Sequence, residues 1–251
     1  KTKRIDGFFK TGFVFPSGRT ALAWLSNVSR HKTNSFYGIT DYDADETRFY
    51  ANAIVTRGLD GAGIHSLNTG LSFVYDNFNE MLYNKNISRT EKVPGIFAEY
   101  TLKPNENITL MTGARVDFHN LFGTFFTPRA HLRYKMSEHV TLRSSAGKGY
   151  RTANVLSENI YLLANSRPLL WQDDVMQEKA WNYGVALVQS YTLLGRELQL
   201  NAEYYRTNFE TQLVVDRESS AENVILAPLN GKSYANSLQF DARWQPIERL
   251  D

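Results

Sequence analysis

Apolar and polar residues alternate with a period of two over long stretches of this chain, the pattern of strands that show one face to grease and the other to water. From Ile108 the even positions read Ile108, Leu110, Thr112, Ala114, Val116 and Phe118, against Thr109, Met111, Gly113, Arg115 and Asp117. The next segment sharpens the split: Phe126, Pro128, Ala130, Leu132, Tyr134 and Met136 share one side, and Thr127, Arg129, His131, Arg133 and Lys135 the other. The same division separates Leu198, Leu200, Ala202 and Tyr204 from Gln199, Asn201 and Glu203. It also separates Tyr234, Leu238, Phe240, Ala242 and Trp244 from Ser233, Ser237, Gln239, Asp241 and Arg243. Leu67, Leu71, Phe73 and Tyr75 form a further apolar stripe, as do Trp181, Tyr183, Val185 and Leu187.

Short turn signals at 16–18, 58–63, 103–107, 136–139, 194–196 and 246–249 alternate with wider gaps at 31–47, 77–92, 119–125, 150–177 and 210–232. Tight connections at one end and mostly long ones at the other predict up-and-down antiparallel strands, about eleven of them. The patterns persist for roughly ten to thirteen residues, whereas soluble strands most often run about 5 to 6. Ten residues at a tilt suffice to cross hydrocarbon. Trp24, Tyr75, Tyr100, Tyr134, Tyr150, Trp181, Tyr204 and Trp244 fall near strand ends, where interfacial aromatic girdles sit. The expectation is an all-β fold: part of the wall of an antiparallel transmembrane β-barrel. Two alternatives stand beside it, a soluble β-sandwich or propeller that binds ligand, and a complete small outer-membrane barrel acting as an adhesin or enzyme.

Composition narrows the function more than the fold. The 28 basic and 26 acidic residues leave a net charge of +2, too small a field to hold nucleic acid. Cysteine is absent, so thiolate metal sites, disulfides and cysteine nucleophiles are excluded together. Five histidines fall on separate segments without zinc-site spacing, and no metal or cofactor is expected. Gly147-Lys148-Gly149 lacks the first Gly and the following Ser or Thr of a phosphate loop. No nucleophile elbow or paired-carboxylate spacing points to an enzyme. A mean hydropathy of −0.40 and the lack of any long apolar run exclude spanning helices but not spanning strands.

The stretch Phe126-Thr127-Pro128-Arg129-Ala130-His131-Leu132-Arg133-Tyr134, followed by Thr141-Leu142-Arg143-Ser144-Ser145-Ala146-Gly147-Lys148-Gly149-Tyr150-Arg151-Thr152-Ala153-Asn154, resembles the mid-barrel signature of TonB-dependent outer-membrane receptors. Asn182-Tyr183-Gly184, Ala202-Glu203-Tyr204-Tyr205-Arg206-Thr207 and Leu229-Asn230-Gly231-Lys232-Ser233-Tyr234-Ala235-Asn236-Ser237 are similar to the strands that follow in that family. The likeness is strongest over 93–251 and suggests the siderophore and cobalamin branch, Bacteroidetes-like members in particular. It implies that residues 1–251 are about half of a 22-stranded barrel, with signal peptide, plug domain and TonB box lying outside the sequence. It further implies a bacterial outer-membrane protein that imports a scarce small-molecule ligand with energy from the TonB complex, its partners being membrane lipid and its own plug.

Two residue sets follow from this reading. Arg115, Asp117, Arg129, His131, Arg133, Arg143, Glu203 and Asp241 share the polar face, where a charge avoids the roughly 2–4 kcal/mol cost of Arg or Lys facing mid-bilayer lipid. They either hold the plug or pair with one another along the wall. Arg151, Asn154, Glu158, Tyr161, Arg167, Trp171 and Gln172 lie in the longest predicted loop. That loop either contributes to a ligand vestibule or is an ordinary solvated or lipopolysaccharide-facing segment.

Overall fold

Alternation keeps its meaning only while each strand stays in register with the next, and here the register runs almost without shifts across the chain. The computed structural model describes residues 1–38, 40–83, 85–165, 167–171, 176–229 and 231–245. Its strands are β1 (Thr2–Val14), β2 (Thr20–Tyr37), β3 (Thr40–Gly58), β4 (His65–Leu82), β5 (Lys85–Asn105), β6 (Ile108–His119), β7 (Gly123–Lys135) and β8 (Val140–Ala153). After a 3-10 helix (Ser157–Ala164) come β9 (Leu169–Trp171), β10 (Met176–Leu193), β11 (Arg196–Thr211), β12 (Leu213–Asp216), β13 (Val224–Pro228) and β14 (Ser233–Trp244). Eleven of these form one antiparallel sheet in the order β1-β2-β3-β4-β5-β6-β7-β8-β10-β11-β14. β1 and β14 are its two edges and do not pair with each other, as a complete small barrel would require. The predicted turn at 246–249 lies outside the described residues.

The register sorts side chains as the sequence pattern demands. Ala53 opposes Leu71, Leu71 opposes Ile96, Ile96 opposes Val116 and Val116 opposes Phe126, so one apolar row crosses five strands. A second row runs Leu132, Ser144, Val185, Tyr204, Leu238. These side chains are open rather than packed against a second layer: Leu71 is 61% exposed and Phe240 72%. A soluble sandwich would bury them, and that alternative fails here. Seven of the eight predicted girdle aromatics sit on this face; Tyr150 does not, because its ring stacks on the buried Phe125 at 4.2 Å on the polar side. The ring of Tyr205 lies across Gly184, and a Cβ there would sit 2.5 Å from it.

The polar face is the concave one. The segment after β8 reaches past β7 and β6 to pack Val155, Leu156, Leu162 and Leu163 against Tyr42, Leu82 and Ile87 on β3, β4 and β5. Such a chord is possible only on the inside of a curved sheet. Leu169, Val224 and Leu226 complete this apolar cluster, and a small three-stranded sheet, β12-β13-β9, ties the two long loops together. The result is a cap folded over one end of the hollow wall.

Three of the expected long loops do not exist as loops. β2 runs to Tyr37 and β3 starts at Thr40, β4 runs to Leu82 and β5 starts at Lys85, and only 120–122 separate β6 from β7. Likewise β8 extends to Ala153 and β10 starts at Met176, which shortens the predicted 150–177 loop. The physical reason is visible on β4. Leu71, Phe73 and Tyr75 occupy the apolar face, but above them Asn77 and Asn79 take that side while Phe78 and Leu82 turn inward toward the cap. The stripe changes face without breaking the strand, so the period-two reading loses it.

Leu226 is fully buried in the cap. Leu226→Ala should therefore cost about 2–5 kcal/mol of local stability. Hydrogen exchange on the full-length protein should show this as loss of amide protection confined to residues 154–171 and 212–229. Unchanged protection there would contradict a packed cap.

Candidate functional site

Beneath the cap, on the concave side, alternate residues of β3 to β6 and β8 converge on a hollow of about 430 Å³. Period two places Glu46 and Arg48 on β3, Asp76 on β4, Arg89 and Glu91 on β5, and Arg115, Asp117 and His119 on β6, all facing it. Asp76, Arg89, Glu91, Asp117 and His119 are buried, and buried polar and charged groups persist only if they are paired and hydrogen-bonded.

Glu91 is the hub. It accepts from Arg89 Nε at 2.7 Å, from Thr152 Oγ1 at 3.0 Å, and contacts His119 Nε2 at 3.2 Å. Arg89 also donates to Asn154 at the root of the cap and lies over the Phe78 ring at 4.5 Å. Next to it Arg115 grips the buried Asp117 through Nε at 2.7 Å and Nη2 at 2.6 Å, and donates to Ser72 Oγ at 2.6 Å. This pair needs a glycine opposite: a Cβ on Gly95 would lie 2.1 Å from Asp117 Oδ1 and 2.8 Å from Arg115 Nη2. One group is left over. Asp76 Oδ1 is buried and has no hydrogen-bond partner among the described residues.

Above the apolar band, the Tyr42 hydroxyl donates to Glu80 Oε1 at 2.6 Å in the floor of the cap. Burial, and secondarily the neighbouring Glu80 charge, pushes the Tyr42 phenol up. Burial likewise raises the Glu80 carboxyl, opposed by the Tyr42 hydrogen bond and the Arg89 charge.

The polar-face candidates divide into two groups. Arg115 pairs with Asp117, and Arg129 with Glu99, inside the wall itself. Arg133 and Arg143 instead face each other as cross-strand partners, and no carboxylate pairs with either among the described residues. They line a second hollow of about 440 Å³, nearer the short turns, together with His131, Glu203 and Tyr205. Glu203 accepts from Asn201 Nδ2 at 2.7 Å, and Asp241, on β14, accepts from Gln239 Nε2 at 2.9 Å.

The loop candidates are placed differently from one another. Arg151, in β8, bridges Glu158 at 2.9 Å and Glu178 at 2.6 Å, while Asn154 offers its backbone N–H to Glu158. Arg167 donates to the carbonyls of Arg217 and Ser220, stitching one long loop to the other. These four hold the cap together. Tyr161 projects from its surface beside Arg217, and the Trp171 ring sits under Lys85. Gln172 lies outside the described residues.

Sequence reasoning missed Asp76, Arg89, Glu91 and His119. Continuing the parity of the Leu71–Tyr75 stripe would have placed Asp76 on the inner side, and the Arg89/Glu91 spacing carries the same two-residue signal.

Comparison with known proteins now bears on this geometry. The family model described as TonB dependent receptor-like, beta-barrel, matches residues 7–249. No curated protein matches by sequence. Among solved structures, the copper transporter OprC superposes with a TM-score of 0.69 at 13% identity, over 98% of this chain and 44% of that one. The alcaligin outer-membrane receptor FauA from Bordetella pertussis gives 0.65 at 16%, over 98% and 44%. The siderophore receptor PirA from Acinetobacter baumannii gives 0.63 at 13%, over 96% and 42%. At such identities the likeness is one of fold, and the chain spans under half the length of these three. The eleven-stranded, two-faced wall and the family match over nearly its whole length together make this chain a member of the TonB-dependent receptor β-barrel family.

Proposed function

We propose that this chain is a section of the barrel wall of a bacterial outer-membrane transporter that imports a scarce ligand with energy delivered through TonB. The ligand class is a metal chelate such as a ferric siderophore, or cobalamin. One observation carries the reading: a continuous exposed apolar face backs a concave face lined with buried, hydrogen-bonded charge. Hydrocarbon outside and a wet interior inside are the environments that sort side chains this way. Siderophore receptors and a copper transporter among the structural relatives support the ligand class. The role is binding and passage, with no covalent chemistry assigned to any side chain. The decisive experiment is uptake of a panel of ferric siderophores and cobalamin by cells with and without the full-length protein, and with and without TonB. Accumulation that ignores both deletions would defeat the reading.

The hollow beneath the cap is the ligand vestibule in this reading, and the unpartnered Asp76 carboxylate oxygen is its open valence toward a donor. The plug meets the wall lower down. Like charges directly opposite destabilise a sheet, so the Arg133/Arg143 pair calls for an acidic group from the lumen. Arg129, already matched by Glu99, has less need of one.

Three outcomes are expected. Leu71→Arg, in the middle of the apolar face, should cost about 2–4 kcal/mol in folding into lipid vesicles, whereas Asn79→Arg, on the same face above the band, should cost almost nothing. Equal costs would remove the lipid-facing assignment. Replacing Arg133 and Arg143 together by Gln should expose the plug to protease far more than Arg129→Gln does; the reverse ranking would return the wall arginines to a structural role. Gly95→Ala displaces Asp117 from Arg115, and breaking a buried pair costs about 3–5 kcal/mol. The checks are melting temperature and ligand affinity, both falling if the pair is intact in the native wall.

A further inference from the structure

We propose that the outer rim of the apolar face carries a built site for the phosphate of an outer-leaflet lipid, centred on Arg206; this rests on the reading of that face as lipid-facing. Along β11 the face reads Leu198, Leu200, Ala202, Tyr204 and then Arg206. From Leu198 to Arg206 the strand covers the roughly 9 to 11 residues that cross hydrocarbon. The guanidinium therefore sits at headgroup depth, on the side away from the short turns, which are periplasmic in such barrels.

Its contacts are all to neutral groups. Nε donates to Asn208 Oδ1 at 2.9 Å, Nη1 lies 3.5 Å from Asn236 Oδ1, and the group stacks 4.4 Å from the centre of the Tyr234 ring. The Tyr204 hydroxyl donates to the same Asn236 oxygen at 3.0 Å, which fixes that amide with its nitrogen turned away. No carboxylate pairs with Arg206 among the described residues. The contrast with Arg30 is direct. Arg30 stands on the same face of β2, one step above Val28, and is neutralised by Asp45 at 2.8 Å.

A guanidinium at headgroup depth costs little by itself, but with no counter-charge of its own it attracts an anion, and the anion available at that depth is lipid phosphate. Arg is suited to the task, because its planar fork meets two phosphate oxygens at once. Tyr234, 60% exposed, supplies an amphipathic wall for the glycolipid.

The test is native mass spectrometry of the full-length protein released from detergent, with bisphosphorylated lipid A as probe, dephosphorylated lipid A beside it and inorganic phosphate as competitor. Arg206→Ala and Asn236→Asp should each weaken retention of the bisphosphorylated lipid by about tenfold, the worth of a hydrogen bond to a charged group. Asn236→Asp supplies an internal counter-charge at unchanged size, so it should leave the fold intact. Arg206→Lys should retain part of the binding, and inorganic phosphate should not displace the lipid. Equal retention by wild type and both variants overturns the proposal. So does equal binding of the two lipid forms, or displacement by inorganic phosphate, which would mark a free-anion site. A protein that fails to fractionate with the outer membrane sinks the underlying reading and this site with it. A protein that does fractionate there, yet holds lipid A regardless of residue 206, sinks the site alone.

Discussion

A peptide group facing hydrocarbon has no water to fall back on, so every backbone N–H and C=O along a lipid-facing stretch has to find its partner in the neighbouring strand. This constraint explains the long strands, the chain-order pairing and the near absence of register shifts. It also forbids irregular connections within the apolar band. The two register shifts among the described strands lie toward the ends of the band, at Lys179/Ala180 on the cap side, where β10 meets β11, and at Leu102/Asn105 on the short-turn side, where β5 meets β6. Side chains are sorted afterwards, by what lies beyond each face of a ladder that has to be unbroken.

That order of causes decides what was readable beforehand. Wherever hydrocarbon lies on one side and water on the other, alternation is strict, and the stripes on β6, β7, β11 and β14 could be read residue by residue. Above the band both faces are wet, except where the cap covers the inner one. There the apolar residues follow the cap, so Phe78, Leu82 and Ile87 appear on the face that lower down holds Arg115 and Asp117. Read as a breakdown of pattern, this looks like loop. It is a strand whose inside and outside have exchanged roles.

The candidate site was legible to a corresponding degree. Residues inside the strict alternation, such as Arg115, Arg129, Arg133 and Arg143, were assigned to the correct side of the sheet by parity alone. Which of them are satisfied was not legible, because Arg115–Asp117 is a neighbour pair two residues apart whereas Arg129–Glu99 joins strands 30 residues apart in sequence. Arg151 and Arg167 carried an ambiguous signal. A charged side chain in a long loop reads the same whether it awaits a ligand or bonds the loop to itself, and three-dimensional contacts were needed to show the second.

The division of labour between satisfied and unsatisfied charge ties these parts together. A wall that neutralises all its charges internally is a closed object with no reason to bind anything on its polar side. Here Glu91 and Asp117 are fully engaged, while a buried Asp76 oxygen has no partner among the described residues. Lower down, Arg133 and Arg143 confront each other, and no carboxylate forms an ion pair with either among the described residues. The upper region is therefore preorganised, its geometry fixed by its own bonds before any ligand arrives, which limits the ordering cost of binding. The lower region instead presents two facing arginines on the concave side of the wall.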